Sequence, residues 1–214
     1  MLTAKLYFSF RSPYSYLAIG RYRALMERHR VELALRPVWP LAVREPDFFE
    51  RNHPNWLGYT MRDMLRVAEF HGIPFGAPRP DPIVQDVTTR KIAEDQPYIR
   101  RITRLGQAAA RRGKGVAFAH EAARLIWGGA ENWHEGDHLS GAAERAGLDL
   151  AELDAEVAAE AEALDAEIAA NQQALEGAGH WGVPTLVFDG EPFFGQDRIE
   201  MAKWRMEQKG LEPR

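Results

Sequence analysis

Two serines three residues apart are the side chains whose position in this chain suggests chemistry. Ser12 and Ser15 enclose Pro13 and Tyr14 where an alternating aromatic segment gives way to helical spacing. The unpaired backbone N–H groups and partial positive charge of a helix N-terminus stabilise anions such as a thiolate. A serine hydroxyl placed there can donate a hydrogen bond to another molecule's thiolate. The simpler alternative is that Ser12 only caps the helix.

A proline and a polar turn near the C-terminus are the other candidate features. Val183-Pro184 precedes an apolar segment, and an X-Pro bond taken alone is expected to be trans, since only about 5–6% are cis. Asp197 follows Gln196 where a helix is predicted to begin. Helix capping is therefore its default role, and recognition of a ligand's ammonium group is the functional alternative.

The elements that must position these residues change in type along the chain. Alternating, β-branched and aromatic residues predict strands over 4–10, 31–38, 183–188 and 191–194. Helical spacing follows Ser12, and it predicts further helices over 59–71, 83–95, 97–112, 117–127, 138–146 and 150–176. Asp189-Gly190 is a two-residue hairpin turn between the last two strands. The order is therefore βαβ, a helical block, then ββα.

This order predicts an α/β fold in which a thioredoxin-like domain is interrupted by an all-helical insertion. The discontinuous domain would comprise residues 1–40 and 177–214, and the insertion residues 41–176. In thioredoxin-like folds the first helix N-terminus usually carries cysteines, and the proline before the third strand is cis and lies opposite it. Ser12 and Pro184 occupy those two places here.

Composition excludes several classes of protein. The chain has 214 residues, a formal net charge of −4 and no cysteine. The absence of cysteine excludes disulfides, cysteine zinc sites and thiol chemistry by the protein's own side chains. The slightly acidic balance argues against nucleic-acid binding, and no stretch is apolar enough to span a membrane. We expect a cytoplasmic protein, and the His134–His138 segment predicts a surface turn rather than a metal site.

The charges of the helical block segregate. Residues 90–114 carry eight basic and two acidic side chains, whereas residues 146–197 contain no Lys or Arg. We expect the two segments to form solvated faces of neighbouring helices that face each other. A patch that binds a partner is the alternative.

The ordered combination of Ser-Pro-Tyr-Ser, Gly-Val-Pro-Thr and Phe-Gly-Gln-Asp-Arg resembles the 2-hydroxychromene-2-carboxylate isomerase family, which is close to kappa-class glutathione transferases. The resemblance runs almost from end to end. It implies that Ser12 is the catalytic serine that hydrogen-bonds the sulfur of glutathione. It also implies that Val183, before a cis Pro184, pairs with the cysteinyl part, and that Gln196 and Asp197 hold the γ-glutamyl end.

Other positions match the family less closely. Asn52 aligns with an asparagine near the ligand, and Tyr14 is placed to line a substrate cleft. Trp56 stands where the family often has a lysine, and Arg11 stands where it usually has an apolar residue. Arg11 either adds positive charge near the thiolate and the substrate or points to solvent.

The resemblance implies a glutathione-dependent isomerase. Its cofactor would be glutathione, its substrate a small conjugated aromatic or pyruvate-like compound, and its assembly a homodimer. One alternative is a kappa-type glutathione transferase or peroxidase with the same site. Another is a non-catalytic thioredoxin-like binding module in which the serines are relics of a redox motif.

Overall fold

A four-stranded sheet and the helices packed on it position the candidate residues. The computed structural model describes residues 1–45, 48–86 and 91–214. The strands are β1 (Leu2–Phe8), β2 (Val31–Pro37), β3 (Thr185–Phe188) and β4 (Glu191–Phe194). Their order in the sheet is β2-β1-β3-β4. β1 is parallel to β2, with Leu2 opposite Val31, and antiparallel to β3, with Leu6 opposite Leu186.

Ten helices lie within the described ranges. They are α1 (Pro13–Arg28), α2 (Leu41–Arg44), α3 (Phe48–Arg51), α4 (Asn55–His71), α5 (Pro97–Arg111), α6 (Gly115–Trp127), α7 (His138–Arg145), α8 (Leu150–Ala159), α9 (Ala161–Gly177) and α10 (Ile199–Glu207). α1 is the crossover between the parallel strands β1 and β2. None of the described helices is both long and apolar enough to cross a membrane.

The α/β fold expected from the sequence is confirmed. The predicted hairpin also forms, because Asp189 and Gly190 adopt positive φ angles of 52° and 80°, which suit a two-residue turn. The assignment of residues 1–40 and 177–214 to one domain and 41–176 to another stays a prediction. A single cluster of buried apolar side chains extends from the sheet into α5, α6 and α7.

Two predicted helices are wrong in part. The helix expected over 83–95 is absent from its described residues, where Gln85 and Ile92 form an antiparallel bridge. Residues 87–90 of that segment lie outside the described ranges. The helix expected over 150–176 is broken at Glu160, which has φ −125° and ψ 27°. The break lets acidic side chains of both α8 and α9 reach α5.

Candidate functional site

Ser12 forms the N-cap of α1. Its backbone is extended, with φ −92° and ψ 115°, and its Oγ accepts a hydrogen bond from the Ser15 N–H at 3.1 Å. Pro13 takes the first helical position, where its missing N–H costs nothing. The capping role expected as the simpler alternative is therefore present. The hydroxyl hydrogen of Ser12 is not used by the cap and can be donated elsewhere.

The Ser12 hydroxyl faces the proline turn. It donates to the Val183 carbonyl oxygen at 3.3 Å, joining residues 171 positions apart. The Val183-Pro184 peptide bond is cis. Pairing between β1 and β3 explains the approach, because α1 starts beyond the end of β1 and the turn lies directly before β3.

Gln196 and Asp197 lie in the turn between β4 and α10. The Gly195 N–H donates to the Pro184 carbonyl at 2.9 Å, so this turn is fastened to the proline turn. Gly195 has a φ of 105°, which only glycine adopts readily. Asp197 is exposed and its Oδ2 accepts from Arg198 at 2.6 Å. Its expected capping role is wrong, because Arg198 holds the N-cap position and no side chain caps α10.

Arg21 was missed by sequence reasoning. Its Nη1 donates to the Gln196 carbonyl oxygen at 2.7 Å and to Gln196 Oε1 at 3.1 Å. The same nitrogen lies 3.3 Å from His71 Nε2, and burial followed by the Arg21 charge lowers the pKa of His71. Among the described residues no carboxylate forms an ion pair with Arg21, so its charge is available beside Gln196. Arg21 lies nine positions after Ser12 in the sequence, and only the fold shows that it reaches Gln196.

Arg11 is held against the protein by an ion pair. Its Nε and Nη2 donate to the two carboxylate oxygens of Asp81 at 2.5 and 2.6 Å, and its guanidinium lies 5.4 Å from the Trp127 ring centroid. Its side chain is 29% exposed. Asp81 thus neutralises the positive charge of Arg11 that was expected to lie near a thiolate. A substrate-binding role for Arg11 stays a prediction.

Tyr14 connects the start of α1 to α4. Its hydroxyl donates to Asp63 Oδ2 at 2.8 Å, while Tyr59 and Arg66 donate to Asp63 Oδ1. Burial first, and then the hydrogen bond to Asp63, raise the pKa of Tyr14. The phenol stays protonated at neutral pH, so Tyr14 can donate a hydrogen bond but cannot act as a base.

Asn52 forms a hydrogen bond within its own segment. Its Nδ2 donates to the Phe48 carbonyl at 2.5 Å. Within the described ranges, no hydrogen bond joins Asn52 to Ser12, Val183 or Gln196. The structure therefore brings Ser12, Val183, Pro184 and the Gln196 turn together, and leaves ligand contact by Asn52 as a prediction.

Within the described ranges, five aromatic rings form a run of contacts that reaches the proline turn through His180 and Phe194, and they are called the aromatic ladder below. They are Phe48, Trp56, His180, Trp181 and Phe194. Trp181 is 43% exposed. The His-Trp pair just before Gly182 was the available signal. Burial lowers the pKa of His180.

The sheet order, the helix that starts at Ser12 and the opposing cis-proline turn define a thioredoxin-like protein with serine in place of reactive cysteine. A family model for the DSBA-like thioredoxin domain matches residues 3–207. The chain belongs to this family.

Solved structures show the same architecture at low sequence identity. A 2-hydroxychromene-2-carboxylate isomerase is 22% identical, with a TM-score of 0.69 and coverage of 97% of this chain and 95% of the other. The cytosolic disulfide reductase DsbM from Pseudomonas aeruginosa is 21% identical, with a TM-score of 0.64 and coverage of 97% and 99%. DsbM has also been solved with GSH, with the same identity and TM-score. At these identities the likeness shows the fold.

No curated protein sequence matches the chain.

Proposed function

We propose that this protein is a glutathione-dependent isomerase of the 2-hydroxychromene-2-carboxylate isomerase type. The observation that carries the proposal is the Ser12 hydroxyl at the N-terminus of α1, 3.3 Å from the Val183 carbonyl, in a chain without cysteine. Dithiol exchange by the protein's own side chains is impossible, so any thiol chemistry at this site needs sulfur from a ligand. The isomerase and the GSH-bound DsbM among the structural neighbours agree with this choice.

The residues at the site fit a bound thiolate. The Ser12 hydroxyl is a donor whose hydrogen can turn from Val183 to sulfur, and the α1 N-terminus adds a partial positive charge. The nearby carboxylates Asp63 and Asp81 are both engaged by donors and do not oppose an anion as free charges. Gln196 and Arg21 offer an amide and a guanidinium to the polar end of the cofactor.

Glutathione would supply a thiolate that adds reversibly to a conjugated carbonyl compound, so that a double bond becomes free to rotate and the cofactor is regenerated. The protein's part is to keep the thiol deprotonated and to hold both molecules in line. Ser12 favours the anion by hydrogen bonding, and the Val183-Pro184 turn offers its main chain for pairing. Tyr14 remains protonated and closes the site towards α4.

The first experiment is calorimetric titration of glutathione into the wild type and Ser12→Ala. We expect the variant to bind glutathione with little loss of affinity. In an assay of isomerase turnover its kcat should fall roughly 10- to 100-fold, because a hydrogen bond to a charged group is worth about 1.5–3 kcal/mol. The pKa of the bound thiol, followed by the ultraviolet absorbance of the thiolate, should rise in the variant.

Ser15→Ala is the matched control, because the Ser15 hydroxyl is buried without a hydrogen-bond partner. It should leave kcat and the thiol pKa unchanged. Absence of glutathione binding by the wild type would reject both the isomerase and the transferase and favour a binding module. Equal turnover by Ser12→Ala would reject the role of Ser12.

A kappa-type glutathione transferase or peroxidase would use the same site. A stable glutathione conjugate among the products identifies the transferase, whereas full recovery of glutathione identifies the isomerase. The proposal also includes a cytoplasmic location, where the thiol would stay reduced, and a homodimer. Size-exclusion chromatography with light scattering tests the dimer.

A further inference from the structure

The aromatic ladder is a continuous run of ring contacts. Phe194 stacks on His180 at 4.0 Å between ring centroids, and His180 stacks on Trp181 at 5.5 Å. Trp181 contacts Phe48 at 5.3 Å, and Phe48 meets Trp56 edge to face at 5.7 Å. The first three rings are nearly parallel, with interplanar angles of 19° and 18°. These three rings therefore form a face-to-face stack.

The ladder lies directly against the proline turn. A Cβ on Gly182 would come within 2.6 Å of the Phe194 ring and 3.1 Å of the His180 ring, so only glycine allows this approach. The next residue is Val183, whose carbonyl oxygen receives the Ser12 hydroxyl. The rings therefore begin one residue away from the place where a thiolate would be held.

The ladder is fixed in position and partly open to solvent. Arg44 donates from Nε to the Trp39 carbonyl and from Nη2 to the Trp181 carbonyl at 3.0 Å, which anchors the backbone behind Trp181. Trp181 and Phe194 are each 43% exposed, while Trp127 and Trp133 are buried. Rings of this size usually bury their faces, because aromatic side chains carry the largest apolar areas.

His180 adds one directed polar group to this surface. Its Nδ1 accepts the Gly182 N–H at 2.9 Å. The neutral ring then carries its hydrogen on Nε2. That N–H is a donor at the edge of the stacked rings.

We propose that the aromatic ladder binds the flat aromatic part of the substrate, and that the His180 Nε2–H donates to an oxygen atom at its edge. A planar conjugated ring would extend the stack formed by Phe194, His180 and Trp181. Its side chain would then point across Gly182 towards Ser12. The identification of this ligand as the substrate rests on the proposed function, but its binding can be measured without glutathione.

The test uses trans-cinnamate, a planar aromatic carboxylate, as the probe. We expect binding by the full chain, detected by calorimetry, and weaker binding of cyclohexylacrylate, which has the same carboxylate on a non-planar ring. Trp181→Leu should weaken cinnamate binding roughly tenfold, because it removes a stacking partner and its apolar area. His180→Phe keeps a ring but removes the Nε2–H donor, together with the Nδ1 acceptor of the Gly182 N–H, and should weaken binding about fivefold.

Trp204→Leu is the matched control. Trp204 is also exposed but lies on α10, where Arg205 covers its ring at 4.9 Å. It should leave cinnamate affinity unchanged. If Trp181→Leu fails to fold, the binding site can be located from the indole N–H signals in the NMR spectrum of the wild type. Cinnamate should shift those of Trp181 and Trp56 and leave that of Trp204.

Three outcomes would overturn the inference: no cinnamate binding, equal binding of the two probes, or shifts at Trp204 instead of the ladder. Unchanged affinity in His180→Phe would overturn the role of the donor. Glutathione binding without cinnamate binding would reject the ladder and keep the proposed function. Cinnamate binding without glutathione binding would keep the ladder as a binding site and reject the proposed function.

Discussion

Ser12 combines two roles that a single hydroxyl can fill. Its oxygen accepts the Ser15 N–H at 3.1 Å, and its hydrogen points to the Val183 carbonyl at 3.3 Å. The second contact is long for an O–H···O bond, whose usual length is about 2.7–2.8 Å. Moving the hydrogen to a thiolate would therefore lose a weak hydrogen bond and form a charge-assisted one. The cap would remain in place during that exchange.

Arg21 is the residue whose role the sequence could not reveal. Ser12, Pro184 and the Gln196 turn stand out through their local patterns. Arg21 is one of many arginines on helical surfaces. Only the packing of α1 against the turn between β4 and α10 brings it into contact with Gln196. A contact between two distant segments has no sequence pattern of its own.

We expect Arg21→Met to weaken glutathione binding roughly tenfold. The substitution removes both hydrogen bonds to Gln196 and the nearby positive charge that would attract the cofactor's carboxylate. Calorimetry with glutathione measures the loss. The dipeptide Cys-Gly, which lacks the γ-glutamyl group, should bind equally to the wild type and the variant.

Arg28→Met, at the exposed end of the same helix, should bind glutathione as the wild type does. An equal loss of affinity for glutathione and Cys-Gly in Arg21→Met would contradict a role at the γ-glutamyl end. It would indicate a general distortion of α1.

At the scale of elements, α5 packs closely against the sheet and against Phe10, which follows β1. A Cβ on Gly106 of α5 would lie 2.6 Å from Cε2 and 2.8 Å from Cζ of Phe10. Phe10 is fully buried and makes edge-to-face contacts with Phe8 and Phe118. It therefore cannot move aside. Helical spacing predicted α5, but not that a glycine would face the sheet.

Gly106→Ala should lower the free energy of unfolding by up to about 2 kcal/mol. Overpacking a core destabilises a protein by about 1–3 kcal/mol, and the better helix propensity of alanine offsets about 1 kcal/mol of this loss. Chemical denaturation with urea, followed by circular dichroism, measures the change.

Gly58→Ala in α4 makes the same substitution where no atom lies within 4 Å of the new Cβ. It should raise the free energy of unfolding by about 0.5–1 kcal/mol. The prediction is wrong if both variants change stability in the same direction.

At the scale of the whole molecule, charge complementarity joins the helices of the middle segment. The expectation that its basic and acidic faces meet is confirmed by ion pairs that join α5 and the following Arg112 to α8, α9 and the intervening Glu160. These pairs are Arg101–Asp154, Arg104–Asp165, Arg111–Glu156, Arg111–Glu160, Arg111–Glu167 and Arg112–Glu156. The sequence predicted the two faces from composition. It did not predict the break at Glu160, which depends on reaching the shared guanidinium of Arg111.

The network makes stability depend on pH. Burial tends to raise the pKa of Glu156, but hydrogen bonds from Arg111 and Arg112 outweigh it and hold that pKa below its ordinary 4.5. The hydrogen bond from Arg111 is the largest cause that lowers the pKa of Glu167. A carboxyl group with a lowered folded-state pKa stabilises the protein above 4.5, and this contribution is lost as the pH falls through the folded-state value.

We expect Arg111→Met to lower the free energy of unfolding by about 2 kcal/mol at neutral pH, because three carboxylates lose a shared, charge-assisted donor. Urea denaturation at a series of pH values measures the difference from the wild type. That difference should shrink as the pH falls below 4.5, where the glutamates become protonated in both proteins.

Arg205→Met is the matched control for this experiment. Arg205 pairs with Glu191 alone, and both side chains are about one-third or more exposed, at 35% and 44%. An exposed pair contributes about 0.5 kcal/mol, so this variant should change stability far less than Arg111→Met. Equal losses in the two variants, or a loss in Arg111→Met that does not shrink in acid, would show that the shared charges of Arg111 do not stabilise the helices.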